Sequence, residues 1–218
     1  PSHSTPTSIS KVTSYNKLFQ IFQEYEQWGR ILKISDVGHL NESIAKSRFM
    51  DIMLICETLH EKKIGNIADR IQIQSPKPRV ILIAGPSSSG KTTFSKRLAV
   101  HLKVNKITPH TIAMDDYFVP RTRSPRLPNG EYDYENIEAI DLELFNKHLQ
   151  QMLRGDEVEL PHYDFGTGER SKSGRKIHLE DGEALIVEGI HGLNNRLTES
   201  VDDEDKFKIY VSALTHLN

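Results

Sequence analysis

A run of eight residues carries most of the chemistry that this sequence can be expected to perform. Residues 85–92 read Gly-Pro-Ser-Ser-Ser-Gly-Lys-Thr and match G-x-x-x-x-G-K-[ST], a spacing typical of loops that cradle phosphate groups. The glycines free the backbone to approach an anion, the Lys91 ammonium would reach the β- and γ-phosphates, and the Thr92 hydroxyl would ligate Mg²⁺. The alternative is a Gly/Ser turn that binds nothing. The predicted phosphate-binding residues are Gly85, Ser87, Ser88, Ser89, Gly90, Lys91, Thr92 and Thr93.

Acidic residues stand at the ends of two later apolar segments. Asp115 and Asp116 follow the segment 110–114, and Glu188 ends the segment 184–188. Ligands of open α/β sheets bind beyond the carboxyl ends of the strands, so one of the two aspartates is expected to face the phosphate loop. A carboxylate there could accept the proton of an attacking hydroxyl or hold Mg²⁺ through water, and Glu188 is expected to grip the metal or its waters. The alternatives are an ordinary Asp-Asp turn and a strand-end cap.

The ten histidines do not form a zinc-binding pattern, because no pair has the H-E-x-x-H spacing. His191, three residues after Glu188, is a better functional candidate than His162, although a hydrogen-bonded structural role fits it equally well. The basic stretch 169–176 fits a solvated surface, with contact to a nucleotide as the alternative.

The segments that must position these residues alternate between strands and helices from residue 79 onward. This alternation predicts an α/β domain with a parallel sheet flanked by helices. The loop 119–136 is expected to be functional or mobile, and 162–182 is expected to form a β-hairpin that projects from the sheet. The predicted strands are 79–84, 110–114, 184–188 and 207–212, and the predicted helices are 91–103 and 137–154.

The N-terminal third is predicted to be a separate, mainly helical segment. Residues 1–14 are rich in Ser, Thr and Pro and are expected to be a linker. A first helix is predicted from Tyr15 to Trp28 with Gly29 as its stop, and a second from Asn41 or Ser43 to Lys63. Residues 64–73 are expected to be a third helix or the end of the second. The prolines within 74–78 mark a boundary, so the predicted domains are 1–75 and 79–218.

Composition sets the remaining bounds. The chain has 218 residues, a formal net charge of −2 and one cysteine, Cys56, which is expected to be a buried apolar residue rather than a nucleophile. The near-neutral charge disfavours a nucleic-acid partner, and no apolar stretch is long enough to span a bilayer. The sequence has neither a signal-peptide pattern nor the cysteines for an internal disulfide, so a cytoplasmic location is expected.

Five motifs in order make residues 79–218 resemble the uridine kinase / phosphoribulokinase family of P-loop kinases. The resemblance implies a P-loop NTPase-type sheet, ATP and Mg²⁺ as cofactors, and phosphoryl transfer to the 5′-hydroxyl of a nucleoside. The N-terminal part resembles the segment that precedes the kinase domain in longer bacterial uridine kinase-like proteins. The five motifs are Ile83-Ala-Gly-Pro-Ser-Ser-Ser-Gly-Lys-Thr-Thr93, Met114-Asp-Asp-Tyr-Phe118, Tyr132-Asp-Tyr-Glu-Asn-Ile-Glu-Ala-Ile-Asp141, Pro161-His-Tyr-Asp-Phe165 and Val187-Glu-Gly-Ile190.

The resemblance also implies roles for the residues at matching positions. Asp115 resembles the catalytic aspartate that activates the nucleoside 5′-hydroxyl, and Lys91 resembles the lysine that holds the phosphates. Thr92 and Glu188 match the residues associated with Mg²⁺. The positions that match the nucleoside pocket are Tyr117, Phe118, Asp133, Glu135 and Tyr163.

Three features of the sequence depart from the family pattern. Glu135 stands where the family usually has an aspartate that holds the ribose hydroxyls, with Asp133 as a close substitute. Residues 166–169 lack the histidine that reads the pyrimidine edge in uridine-cytidine kinases, so the identity of the base is open. The arginine-rich lid of the family would follow residue 218, so the kinase domain is expected to be incomplete at its C-terminus.

Two other functions stay open at this point. One is a nucleotide-binding regulatory or RNA-associated module without kinase activity. The other is a kinase for a different small hydroxyl substrate, which a basic pocket around Arg121, Arg123 and Arg126 would support. Self-association into a homo-oligomer is also open.

Overall fold

The structure is a computed structural model that describes residues 16–212. The predicted linker over residues 1–14 and the last residues of the predicted second domain, 213–218, lie outside the described residues. The helices are Asn16–Leu32 (α1), Val37–Ala45 (α2), Phe49–Ile73 (α3), Lys91–Val104 (α4) and Leu142–Leu153 (α5). The strands are Val80–Ala84 (β1), Thr108–Ala113 (β2), Val158–Asp164 (β3), Glu169–Ile177 (β4), Glu183–Glu188 (β5) and Lys206–Tyr210 (β6).

Four parallel strands form the central sheet in the order β2-β5-β1-β6. The chain leaves β1 to reach β2 on the far side of β5, and it leaves β5 to reach β6 on the far side of β1. The topology therefore reverses between β1 and β5, which is where open α/β sheets bind their ligands. The prediction of a parallel sheet flanked by helices is confirmed.

Both faces of this sheet are covered, because its central strands are apolar on both sides. All five residues of β1 are buried. Val80 and Leu82 face a cluster that includes α5 and the β3–β4 pair, whereas Ile81 and Ile83 face α4 and the last part of α3. The helical residues that complete this core are Phe145, Leu149 and Met152 of α5, Leu98 and Leu102 of α4, and Ile64, Ala68 and Ile71 of α3.

The predicted hairpin is a separate antiparallel sheet of β3 and β4. It begins at Val158, four residues before the predicted start at 162, because Val158 and Leu160 are buried and extend the pairing. The strand pairing ends at Ile177 rather than at residue 182. The hairpin packs in the same hydrophobic cluster as α5, which places its tip near the carboxyl end of β2.

The predicted helix 137–154 is wrong at its start. Residues 137–139 form a separate 3₁₀ turn, and α5 begins after Asp141. Asp141 caps the helix, since its Oδ1 accepts a hydrogen bond of 3.1 Å from the Leu144 N–H. Its Oδ2 forms an ion pair of 2.8 Å with Arg170 of the hairpin. An aspartate at the N-cap favours a helix start at that position over one four residues earlier.

Gly29 does not end the first helix as predicted. The helix α1 continues through it to Leu32 and ends at Lys33, whose φ of 57° is left-handed. The Ile34 N–H then donates to the Gly29 carbonyl at 3.0 Å, a pattern that closes many helices. A Cβ on Gly29 would lie 2.9 Å from the Ile34 carbonyl oxygen. This glycine therefore gives room to the returning chain.

The predicted second helix, from Asn41 or Ser43 to Lys63, is divided into α2 and α3, and of the two alternatives for residues 64–73 the structure shows the end of that helix. The helix α2 begins earlier because Asp36 caps it, with Oδ1 accepting from the His39 N–H at 2.8 Å. The helix ends at Ala45, and Ser47 has a left-handed φ of 59°. The third helix, α3, then runs without interruption over residues 49–73.

The described residues pack as two compact units, one up to Leu59 and one from His60 onward. The division lies inside α3, so the last turns of this helix belong to the unit that holds the sheet. The separation into functional domains 1–75 and 79–218 stays a prediction. Within residues 16–212, none of the helices combines the length and the apolar character needed to cross a bilayer.

Candidate functional site

The phosphate loop connects the end of β1 to the start of α4. Gly90 is the residue that precedes the helix, with a left-handed φ of 85°, and Ser88 has a φ of 58°. Such conformations turn consecutive N–H groups toward one side, and the first N–H groups of a helix have no intrahelical partner. The loop therefore offers several backbone donors to one anion at the positive end of α4.

The side chains of this loop leave its mouth open. Ser87, Ser88, Thr92 and Thr93 are exposed. The Lys91 ammonium donates a hydrogen bond of 2.8 Å to the Pro86 carbonyl, so its charge lies over the loop that precedes it. Ser89 is half-buried, and its Oγ is buried without a hydrogen-bond partner among the described residues. The structure thus brings all the sequence-predicted loop residues to one place.

Gly85 is buried where the loop passes β6. A Cβ there would lie 2.2 Å from the Val211 carbonyl oxygen and 2.8 Å from Ser89 Oγ. We expect Gly85→Ala to lower the free energy of unfolding by about 1–3 kcal/mol, the usual cost of overpacking, and to weaken phosphate binding because the loop must shift. Urea denaturation with and without ATP measures both effects.

Gly65→Ala is the matched control for this substitution. Gly65 lies inside α3, where an added Cβ would meet only the His101 ring, at 3.5 Å. Alanine in a helix interior is better than glycine by about 0.5–1 kcal/mol, so this variant should be more stable than the wild type. Equal stability changes in the two variants would contradict the proposed close packing at Gly85.

Glu188 ends β5 between the ends of β1 and β2. It lies in register with Ile83 of β1 and Ala113 of β2. Burial raises the pKa of its carboxyl, while a hydrogen bond from Thr92 and the charge of Lys91 act in the opposite direction. Its Oε2 is buried without a hydrogen-bond partner among the described residues.

This carboxylate fits a divalent cation. An unpartnered buried carboxylate oxygen next to a threonine hydroxyl is a donor set that Mg²⁺ accepts. Within residues 16–212, no group of three or more His, Cys, Asp or Glu side chains could enclose a metal. Mg²⁺ does not need such a group, because it commonly binds one or two carboxylates and takes its other ligands from water and substrate phosphates.

The glutamates at the two ends of β5 are expected to affect stability in opposite directions. Burial raises the pKa of Glu188, so its ionised form costs stability above the pKa of the unfolded state. Hydrogen bonds from the Glu180 N–H and the His110 ring lower the pKa of Glu183, so its ionised form contributes stability. At about pH 7.5 without Mg²⁺, we expect Glu188→Gln to raise and Glu183→Gln to lower the free energy of unfolding, each by about 1 kcal/mol.

The pH dependence separates the two variants further. The Glu188→Gln difference should vanish as the pH falls to about 4, where the unfolded glutamate also protonates. The Glu183→Gln difference should persist to lower pH, because the folded pKa of Glu183 is depressed. Urea denaturation across the pH range measures both differences. A less stable Glu188→Gln protein at neutral pH would contradict the assignment of Glu188 as a carboxylate kept for an external cation.

The two aspartates after β2 make different contacts. Asp116 Oδ1 lies 3.0 Å from the His162 ring nitrogen and accepts from the Tyr163 N–H at 3.3 Å, which ties this turn to the hairpin. Burial raises the pKa of Asp115, and the charges of Lys91 and His191 oppose that shift. Asp115 is nonetheless exposed to solvent at this edge of the sheet. Asp115 is therefore the candidate on which the charge of the phosphate-loop lysine acts.

An aromatic cluster lies beside this turn, formed by Phe118, Tyr134, Tyr163 and Phe165. The centroid of the Phe118 ring lies 5.6 Å from that of Tyr134 and 5.5 Å from that of Tyr163, and Tyr163 and Phe165 are 5.0 Å apart. Phe118 and Tyr163 are almost fully buried, whereas Phe165 is 52% exposed. The cluster is therefore packed against the protein on one side and exposed on the other, where a planar ring could stack.

Sequence reasoning named only two members of the aromatic cluster, Phe118 and Tyr163, and missed Tyr134 and Phe165. The two missed residues lie in the Tyr132–Asp141 and Pro161–Phe165 motifs. The several aromatic residues in those motifs could have indicated an aromatic cluster. Tyr117, also predicted for the nucleoside pocket, is instead fully buried in the core. Its hydroxyl lies 3.1 Å from His148 Nδ1 of α5, and its ring meets Phe145 edge-on at 4.8 Å.

The loop 119–136 is ordered by its arginines. Arg121 donates through Nε to the Tyr134 hydroxyl at 3.2 Å and also to the Phe165 carbonyl. Arg126 donates to the Gly130 carbonyl at 2.7 Å and lies 4.2 Å above the Tyr132 ring. These two side chains hold the loop and the hairpin tip, so the basic pocket for a phosphorylated acceptor gains no support from them.

Asp133 and Glu135 were the two sequence candidates for holding sugar hydroxyls. The charges of the Asp133 and Asp115 carboxylates both act to raise the pKa of His191, so each lies within electrostatic reach of that ring. Glu135 contacts His191 through its backbone, and its own side chain is exposed. Asp133, which is half-buried and acts on His191, is therefore a better candidate than the exposed Glu135 for holding sugar hydroxyls.

A parallel sheet with its switch point between β1 and β5, a phosphate loop at that point and an acid at the end of the next strand define the class of P-loop nucleotide-binding proteins. The model of the phosphoribulokinase / uridine kinase family matches residues 80–218. The chain belongs to this family, and the resemblance read from its motifs is confirmed.

Individual relatives agree with the family assignment. A uridine kinase of Lactobacillus helveticus is 34% identical over 141 residues, which cover 63% of this chain and 62% of the relative. A uridine kinase of Bacillus mycoides is 36% identical over 138 residues, which cover 63% of this chain and 61% of the relative. The solved structure of a possible uridine kinase from Bacillus stearothermophilus is 25% identical with a TM-score of 0.50, covering 68% of this chain and 80% of that one. The chain therefore spans about three fifths of the length of these curated relatives.

Proposed function

We propose that the protein transfers the γ-phosphoryl group of ATP to the 5′-hydroxyl of a nucleoside. The observation that carries this proposal is that Asp115, which follows β2, and the phosphate loop, which follows β1, lie at the same edge of the parallel sheet, where the charge of Lys91 acts on Asp115. A carboxylate next to the phosphate-binding lysine is placed to act on a hydroxyl that approaches the γ-phosphate. The similarity to curated uridine kinases supports a nucleoside as the acceptor.

Each group in the cleft has a defined task in this reaction. The backbone donors of the loop and the Lys91 ammonium would bind the phosphate oxygens and offset the charge that develops during transfer. Asp115 would accept the proton of the 5′-hydroxyl as that oxygen attacks. Because desolvation raises its pKa, this carboxylate is a stronger base than an aspartate with the ordinary pKa.

Thr92 and Glu188 would hold Mg²⁺. When bound, the cation neutralises negative charge on the β- and γ-phosphates. The buried and unpartnered Oε2 of Glu188 is the observation that supports this assignment.

The acceptor would lie between the aromatic cluster and Asp133. The base would stack on the open side of the cluster, and the Asp133 carboxylate would accept hydrogen bonds from sugar hydroxyls. The segment 166–169 offers no histidine to read a pyrimidine edge, so a uridine-like or cytidine-like base is supported by the relatives rather than by a polar contact in this chain. A cytoplasmic location and self-association stay predictions.

A screen of phosphate acceptors on the full-length protein tests the proposal. The panel holds the four common ribonucleosides, a phosphorylated sugar and pantothenate, each with ATP and Mg²⁺, and product formation is followed by mass. Phosphorylation of at least one nucleoside is the expected result. ATP binding without phosphorylation of any nucleoside would overturn the proposal. Transfer only to the sugar or pantothenate would favour a different hydroxyl acceptor, and salt-dependent RNA binding without transfer would favour the regulatory module.

A further inference from the structure

The turn after β5 is fixed in place by two glycines. A Cβ on Gly189 would lie 2.0 Å from Met114 Cε and 2.8 Å from Met114 Cβ, so this residue packs against the side chain that precedes Asp115. A Cβ on Gly192 would lie 3.0 Å from the Ile83 carbonyl oxygen, which also accepts the Gly189 N–H at 3.1 Å. The turn is thus wedged between the carboxyl ends of β1 and β2. His191, which it carries, is held at the same edge as the proposed catalytic aspartate.

The His191 side chain lies within reach of the backbone of residues 135–136 and of the charges of two carboxylates. Asp115 and Asp133 both act on its charge, and the backbone of Asn136 and Glu135 lies against its ring. Its Nε2 is buried and has no hydrogen-bond partner among the described residues. Buried polar atoms are nearly always satisfied, so an unpartnered nitrogen in a cleft points to a partner that arrives from outside.

The same contacts determine the protonation state of the His191 ring. Burial lowers the pKa of His191, which favours the neutral imidazole, although the backbone contacts and the two carboxylates oppose this shift. In a neutral imidazole, a nitrogen that donates to a backbone carbonyl leaves the other nitrogen as an acceptor. The Nε2 atom is therefore suited to receive a hydrogen bond from a hydroxyl group.

We propose that His191 is a specificity-determining residue whose Nε2 accepts a hydrogen bond from a secondary hydroxyl of the acceptor sugar, between Asp115 and Asp133. This inference rests on the proposed nucleoside kinase function. Asp133 alone would bind a diol in many orientations, whereas a second, fixed acceptor nitrogen would set the rotation of the sugar and direct its 5′-hydroxyl toward Asp115.

Two substitutions separate this role from a merely structural one. His191→Asn keeps a polar atom near the position of Nδ1, which can still meet the backbone of residues 135–136, but it removes Nε2. His191→Gln places an amide near the position of Nε2. If Nε2 binds the sugar, His191→Asn should raise the acceptor KM about tenfold with the KM for ATP unchanged, since one hydrogen bond is worth roughly that factor. His191→Gln should restore part of the loss.

Deoxynucleosides identify the hydroxyl. The wild type should disfavour either the 2′-deoxy or the 3′-deoxy form of its preferred nucleoside by about tenfold or more, and His191→Asn should lose that discrimination for the same analogue. Calorimetric titration of the nucleoside, with a non-hydrolysable ATP analogue present, gives the same comparison without catalysis. His178→Asn, an exposed histidine just after β4, is the matched control and should behave as the wild type.

The outcomes distinguish this inference from the proposal on which it rests. A wild type that binds and phosphorylates no nucleoside overturns the proposed function. A wild type that phosphorylates a nucleoside, with a His191→Asn variant that retains both the acceptor KM and the deoxy discrimination, overturns the role of His191 alone. If circular dichroism shows that His191→Asn does not fold, His191→Gln is compared with the wild type instead. A partial rise in the acceptor KM for the ribonucleoside that is absent for the deoxy analogue lacking the contacted hydroxyl supports the role. Equal KM values and equal deoxy discrimination in His191→Gln and wild type overturn it.

Discussion

Asp115→Asn is expected to lower kcat by about 10²–10⁴-fold, the usual contribution of a positioned general base, with little change in ATP affinity. The amide is nearly the same size as the carboxylate and can still occupy the cleft, but it cannot accept the proton of the attacking hydroxyl. Lys91 would still hold the phosphates, because its contact with the loop, through Pro86, does not involve Asp115. Steady-state kinetics for the acceptor and calorimetric titration of ATP measure the two quantities separately.

Asp116→Asn is the matched variant for this test. Asp116 is tied to His162 and to the Tyr163 N–H, so its loss should disturb the hairpin and act mainly on the acceptor KM. Comparing the Asp115→Asn and Asp116→Asn variants therefore separates the transfer of the hydroxyl proton from the positioning of the acceptor. A larger fall in kcat for Asp116→Asn than for Asp115→Asn would reverse the assignment of the two aspartates.

Lys91→Ala is expected to weaken ATP binding by about 10–100-fold, since hydrogen bonds to charged groups are worth about 1.5–3 kcal/mol. It should also lower kcat, because the same ammonium would stabilise charge on the transferring phosphoryl group. The loss of affinity should occur only with ligands that carry phosphates. Lys91→Ala should therefore weaken the binding of ADP and leave the binding of adenosine unchanged. Calorimetric titration with the three ligands makes this comparison.

Lys103→Ala provides the control for charge. Lys103 lies in the last turn of the same helix and is exposed, so removing it changes net charge without touching the loop. Its effect on ATP affinity should be less than about twofold, the scale of surface electrostatics at moderate salt. Equal losses in the two lysine variants would show that Lys91 acts only as a distant positive charge.

The phosphate loop and the sheet could be predicted from the sequence because their determinants are local. The strand β1 reads as an unbroken apolar run since both of its faces are covered, and the helix α4 follows directly from the spacing of its buried residues. Glycine at position 85 is consistent with a close approach of the neighbouring backbone, and glycine at position 90 is consistent with a left-handed φ. Here each residue type constrains the chain within a few positions of itself.

The division of roles between Asp115 and Asp116 could not be predicted in this way. It depends on His162 and Tyr163, which reach this turn from more than forty positions further along the chain. The burial of Tyr117 against α5 has the same origin, because a hydroxyl contact with His148 depends on tertiary packing. The error at Gly29 was different in kind, since a glycine there fits both a helix stop and a close approach of the returning chain.

The junction between Arg121 and the hairpin tip has a consequence for how the cleft can open. The Arg121 N–H donates to the Gly168 carbonyl at 2.8 Å, and the Arg121 side chain lies within 2.7 Å of where a Cβ on Gly168 would be. The same side chain reaches the Tyr134 hydroxyl and the Phe165 carbonyl. Arg121 therefore ties the loop 119–136 to the hairpin tip, which are the two walls of the proposed acceptor site. If the proposed site opens to admit an acceptor, we expect these two segments to move together unless the Arg121 contacts break.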